Sequence, residues 1–158
     1  MSKRLDWAAA APGARKAQYG VHLYLESCGL PKALMLLIDL RVSQINGCAF
    51  CLDMHAKGLR EVGESQQRLD CLAGWREAHG LFSVREQAAL AWAEALTRIA
   101  DTRQVPDAIY EAAKAQFSDR ELADLTLAVC SINSWNRLAV GFGKAPVPDV
   151  ESERAAAA

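Results

Sequence analysis

Two Ser-x-x-Glu boxes, Ser83 to Glu86 and Ser118 to Glu121, each open onto a long stretch rich in Ala and Leu. In such a box the serine side chain accepts the N–H of the third helical residue. The glutamate there reaches back to the serine N–H, so two otherwise orphaned donors are satisfied and a helix starts. Nothing in the chain alternates apolar and polar residues as a strand would, and the few valines are scattered. Ala, Leu, Glu, Arg and Gln, all good helix formers, fill most of the remainder. The chain is predicted to be all-α.

Glycine and proline mark off about six or seven helices. The first covers 14–27 and stops at Gly29. Pro31 opens a second, 31–45, whose Leu34, Leu37, Ile38 and Val42 fall on one helical face. Asn46-Gly47 interrupts it, and a third runs over 48–62 to Gly63. A short segment, 65–75, precedes a loop at 79–82. The two capping boxes open helices over 83–100 and 118–140, and Pro106 starts one over 106–116 between them. Pro12-Gly13 reads as a break. Pro146, Pro148 and the closing Glu-Arg-Ala-Ala-Ala-Ala read as a frayed tail. The expected architecture is a single-domain helical bundle over 1–158, with its core at about 19–142 and frayed termini.

With 158 residues, 51 % apolar and 23 % charged, the chain has enough core to fold and is neither disordered nor fibrous. Eighteen basic against nineteen acidic residues leave a net charge of -1, so no nucleic acid or anionic membrane partner is expected. No apolar run approaches the ~20 residues of a membrane span. The first residues lack the apolar segment of a signal peptide. The five cysteines then read as thiols in a reducing compartment, with a cytoplasmic location expected.

The chemically informative segment runs from Arg41 through Gln44, Cys48 and Cys51 to His55. On a helix Cys51 lies about 60° from Cys48, and His55 about 20° from it. All three share one face, and Cys51 and His55 are an i, i+4 pair. The Asn46-Gly47 break puts both sulfurs in a first helical turn, where free N–H groups and the helix dipole favour thiolate. A histidine one turn on can take the proton, and two thiols within reach can close a disulfide. Three readings compete: a structural cysteine pair, a zinc site of Cys48, Cys51 and His55 with Cys71 or His79 as fourth ligand, and a thiol–disulfide site. A second Cys-x-x-Cys is absent, which argues against zinc. The thioredoxin fold is excluded because its βαβ pattern is missing.

These residues, with the later segments at 75–96 and 132–140, resemble the AhpD-like alkylhydroperoxidases of the carboxymuconolactone decarboxylase superfamily. Ser43-Gln-Ile-Asn-Gly-Cys48 and the spacing to Cys51 and His55 place the chain in the branch that keeps the Cys-x-x-Cys pair. The resemblance covers about 19–142. It implies an all-helical subunit that forms a homo-oligomer, a trimer or a hexamer of trimers. It also implies a peroxidase in which Cys51 attacks peroxide, Cys48 resolves the sulfenic acid to a disulfide, and His55 relays the proton. A peroxide substrate and a thiol or lipoyl-type protein reductant are implied as partners, with no metal, haem or flavin cofactor.

One position departs from the family pattern. A glutamate usually stands twelve residues before the first cysteine, where this chain has Leu36. Leucine carries no proton, so Asp39, His22 and Glu26 are the candidates to complete the relay. An incomplete relay is the mark of the alternative reading, a non-catalytic redox or stress-sensing dithiol protein. A structural zinc module is the third. Cys28, Cys71 and Cys130 are expected to be structural, and Trp75, Trp92 and Trp135 to pack in the core or a subunit interface. Asn133, Asn136 and Arg137 are expected to be pinned by packing or hydrogen bonds, and Arg41 and Gln44 to hold the redox turn.

Overall fold

The computed structural model describes residues 4–148, and the predicted frayed tail beyond them lies outside the described residues. The helices are α1 (Trp7–Ala10), α2 (Pro12–Glu26), α3 (Lys32–Asn46), α4 (Ala49–Glu61), α5 (Gln66–Cys71), α6 (Val84–Thr97), α7 (Ile99–Thr102), α8 (Asp107–Lys114) and α9 (Asp119–Gly141). A single 3₁₀ turn, Leu72–Gly74, follows α5, and no strand occurs among the described residues. The all-α expectation holds, and the helix count exceeds it by two short helices.

Both extra helices have local causes. Pro12 does not break the chain; it is the first residue of α2, where its missing N–H costs nothing. That leaves room for α1, whose N-cap Asp6 accepts the N–H groups of Ala8 and Ala9. Trp7 then packs at 6.1 Å from Trp135, and the Arg4 guanidinium donates to the Gly141 carbonyl at 2.7 Å. The N-terminal stretch from Arg4 is thereby tied to α9. The second extra helix arises because the predicted 83–100 helix ends at Thr97, where Arg98 leaves helical geometry at ψ 12°. Both capping boxes form as drawn, with Glu86 and Glu121 each accepting from the serine N–H.

α3 is the axis of the molecule. Leu34, Leu37, Ile38, Leu40 and Val42 are buried along it, and α4, α6 and α9 pack around it. Leucines at 0 % exposure, such as Leu37, Leu59, Leu90 and Leu125, each contribute about 1.5–3 kcal/mol of apolar transfer. α9 supplies Leu122, Leu125, Val129 and Ile132 at helical spacing to the same core. Trp75, Trp92 and Trp135 sit in this packing: the Trp75 indole N–H donates to Glu94 and that of Trp92 to Thr126, both at 3.0 Å.

Candidate active site

The site is built on the corner between α3 and α4. Gly47 adopts φ 66°, ψ 32°, the left-handed conformation that ends α3. Its N–H reaches the Gln44 carbonyl and the Cys48 N–H reaches the Ser43 carbonyl, a Schellman closure that turns the chain within two residues. A Cβ on Gly47 would meet nothing within 4 Å, so glycine is needed there for its backbone freedom alone. Cys48 then serves as N-cap of α4, its Sγ accepting the Cys51 N–H at 3.4 Å.

Cys48 and Cys51 are joined as a disulfide across this first turn, with Cα atoms 5.3 Å apart. They are 1 % and 2 % exposed and pack with Ala139 of α9 and the Phe50 ring. Lys144 lies over Phe50, its Nζ 3.9 Å from the ring centroid. Beside this cluster, Asn46, Asn136, Arg137, Val140 and Gly141 line a shallow open depression.

The corner is clamped to α9 and α6 by polar side chains. Asn46, the last residue of α3, donates to Asn133 at 3.0 Å and to Asn136 at 2.9 Å. Asn136 donates in turn to Ser43 at 3.1 Å, and Asn133 to Thr97 at 3.0 Å. Arg137 donates to Asn133 at 2.8 Å. The pinning expected of these asparagines is therefore a closed hydrogen-bond network that fixes where α3 ends. One turn earlier, Arg41 donates to Glu94 at 2.7 Å and to Gln44 at 3.0 Å. Glu94 is buried and also accepts from Trp75 and Arg76, so its charge is fully met. These bonds hold its carboxyl below the ordinary glutamate range despite burial, which acts in the opposite direction. Glu94 escapes a reading of the local motif because it lies on α6.

α3 and α4 run antiparallel from the corner, and that register decides which acid meets His55. Asp39 lies opposite His55, its Oδ2 3.7 Å from Nδ1. One turn further out, Leu36 lies opposite Gly58: a Cβ added there would come within 3.3 Å of a Leu36 methyl. His55 is 8 % exposed, and its Nε2 has no hydrogen-bond partner among the described residues. Burial lowers the imidazole to about 4, helped by the charge of His22. Burial pushes the Asp39 carboxyl up to about 7, although 23 % of the side chain remains open to solvent. Burial thus favours the neutral form of both groups.

The other relay candidates lie apart from this contact. His22 and Glu26 pair with each other at 3.4 Å on α2, with side chains 46 % and 60 % exposed. Cys71 and His79, offered as fourth zinc ligands, lie on α5 and in the loop before α6. Among the described residues no three His, Cys, Asp or Glu side chains are grouped to hold a metal ion. Cys28, Cys71 and Cys130 are free thiols. No helix among the described residues is long and apolar enough to cross a membrane.

The family model for the carboxymuconolactone decarboxylase family matches residues 14–95. The chain is 38 % identical over 143 residues to the uncharacterised protein YdfG of Bacillus subtilis, covering 90 % of this chain and 96 % of YdfG. A crystal structure from Agrobacterium tumefaciens, described as a protein of unknown function and a proposed antioxidant defence protein AhpD, is 42 % identical. It superposes with a TM-score of 0.88 over 94 % of this chain and all of that one. An uncharacterised peroxidase-related protein from Ralstonia eutropha, described as an alkylhydroperoxidase AhpD core, shares the fold. Its TM-score is 0.75 at 24 % identity, over 91 % of this chain and 75 % of that one. With the helical bundle, the cysteine pair at the α3–α4 corner and these likenesses together, the chain belongs to the carboxymuconolactone decarboxylase family as an AhpD-like member.

Proposed function

We propose that this protein is a thiol-dependent peroxidase that works through the Cys48–Cys51 dithiol. The observation that carries the reading is the buried disulfide across the first turn of α4, with a neutral, buried His55 one turn further along the same helix.

In the reduced protein the Cys51 thiol gives its proton to His55 Nε2, the nitrogen that otherwise has no partner. The thiolate attacks one oxygen of ROOH; the S–O bond forms, the O–O bond breaks, and RO⁻ leaves to take up the relayed proton as ROH. Cys51 is then a sulfenic acid. Cys48, favoured as thiolate at the N-cap by the Cys51 N–H and the helix dipole, attacks that sulfur. Hydroxide leaves, picks up the Cys48 proton and departs as water, and the disulfide closes. An external dithiol, of thiol or lipoyl type on a partner protein, supplies two electrons and two protons to reopen it. A reducing compartment such as the cytoplasm would supply that reductant. The family resemblance adds assembly as a homo-oligomer, a trimer or a hexamer of trimers.

The test is turnover with an alkyl hydroperoxide and excess dithiol, followed as peroxide consumed per chain. Many turnovers, lost in Cys51→Ser and Cys48→Ser, support the peroxidase. One stoichiometric oxidation, with a loss of two hydrogens by mass and no further turnover, overturns it in favour of a redox-sensing dithiol.

A further inference from the structure

The departure at position 36 and the antiparallel register of α3 and α4 carry one assignment, which rests on the dithiol chemistry proposed above. We infer that Asp39 completes the proton relay, accepting the Nδ1 proton of His55 as His55 takes the Cys51 proton at Nε2, while Leu36 is a packing residue matched to Gly58.

Three observations converge. First, counting outward from the corner, Asp39 is the α3 residue opposite His55, and Leu36 is opposite Gly58. An acid at 36 stands one turn further from the histidine and needs a longer side chain to reach it. An acid at 39 stands beside it and reaches with the shorter one. Second, Leu36 fills the space left by the absent side chain of Gly58, so that part of the helix interface is apolar and closed. Third, the His55 ring has one nitrogen toward Asp39 and the other buried without a partner. With the sulfurs joined, neither can donate a hydrogen to that second nitrogen. Reduction of the disulfide creates an S–H donor one helical turn away.

Among the described residues, the charged groups around His55 are few. Asp39 faces it from α3, and His22 acts on it from α2 while paired with exposed Glu26. Asp53 and Lys57 on α4 pair with each other on the exposed side. Asp39 acts through His55 and touches no reacting atom in the structure, so it is a positioning residue. The 3.7 Å separation closes to hydrogen-bond distance, or takes one bridging water, when His55 gains its second proton.

The experiment reads the thiol directly. Iodoacetamide alkylation of Cys51 is followed by peptide mass against pH in a Cys48→Ser background, with Asp39→Asn, Asp39→Glu, His22→Ala and Glu26→Gln. Asp39→Asn, which keeps size and shape, is expected to slow alkylation at pH 7 by about tenfold or more and to move the inflection to higher pH. Asp39→Glu is expected to restore most of the rate, Glu26→Gln to match the parent, and His22→Ala, which removes a charge that lowers His55, to be no slower than the parent. An unchanged profile in Asp39→Asn overturns the assignment, as does an equal loss in His22→Ala or Glu26→Gln. Circular dichroism of each variant confirms the fold, and Asp39→Glu separates lost chemistry from lost structure. Peroxide turnover is measured on the same residue changes with Cys48 retained. An Asp39-dependent alkylation profile without turnover retires the peroxidase reading and leaves this one intact.

Discussion

Asp39→Asn is expected to tilt the pH dependence of stability by one proton between about pH 4.5 and 6.5 in the oxidised protein. His55 is held at about 4 against an ordinary 6.5, so in this window the unfolded chain binds a proton there and the folded one does not. Its contribution therefore rises with pH, by about 1.4 kcal/mol per unit. Asp39 is raised from 3.8 to about 7, so the folded chain holds a proton that the unfolded one has released. Its contribution falls with pH at the same rate. The two slopes oppose and nearly cancel in the wild type.

Removing the carboxyl unmasks the histidine. Over the two units the Asp39→Asn protein should gain about 2–3 kcal/mol relative to the wild type. For a chain of this size that is a rise in Tm of about 4–12 °C. His55→Gln should show the mirror image, losing stability as pH rises. The oxidised form suits the assay because joined sulfurs do not titrate. Glu86, Glu94 and Glu121 are each held below the ordinary 4.5 by hydrogen bonds, Glu121 at about 2, so their stabilisation is still completing at the lower edge of the window, equally in both proteins, and the difference between the two curves is the quantity read. Urea unfolding at three pH values in the window is the measurement. Parallel stability curves for wild type and Asp39→Asn would refute the opposed pair, because then the Asp39 shift does not act on folding.

Four further outcomes follow from named contacts. Asn136→Ala removes one acceptor of Asn46 and the donor to Ser43 at a fully buried position and is expected to cost about 2–3 kcal/mol in urea unfolding, with faster Cys51 alkylation as the corner loosens. Gly47→Ala has open space for its methyl but must hold φ at 66°, so its cost is expected to be only about 1 kcal/mol, and Gly47→Asn should cost less. Glu94→Ala strands the Arg41 guanidinium and the Trp75 indole and is expected to cost about 3–5 kcal/mol by the same measurement. Leu36→Glu is expected to change the rate of peroxide reduction by less than about twofold, because Asp39 already stands at His55; a tenfold rise would mean the relay is open in the wild type.

The parts of this protein that were legible in its sequence are those whose cause is local. The two Ser-x-x-Glu boxes formed because donor and acceptor lie three residues apart, whatever the rest of the chain does. The one-turn spacing of Cys51 and His55 follows from helical pitch once Gly47 ends α3 and Cys48 caps α4. By contrast, Pro12 read as a break and proved to be a helix start, because Asp6 and the contact of Trp7 with Trp135 anchor the residues before it. Glu94, the buried acid that orients Arg41, lies 53 positions further along the chain, and no spacing rule links them. The choice among Asp39, His22 and Glu26 was likewise open, since all three lie within reach along the chain. It turns on the register of α3 against α4, which the two-residue corner at Gly47 and Cys48 sets. That corner lets a carboxyl lost at one position of a motif be replaced from a neighbouring one. Moving along α3 by one turn changes which α4 residue is faced, and a side chain one methylene shorter suits the nearer position. Position 36 alone therefore does not decide whether the relay is complete. The acid facing His55 decides it, and in this chain that acid is Asp39.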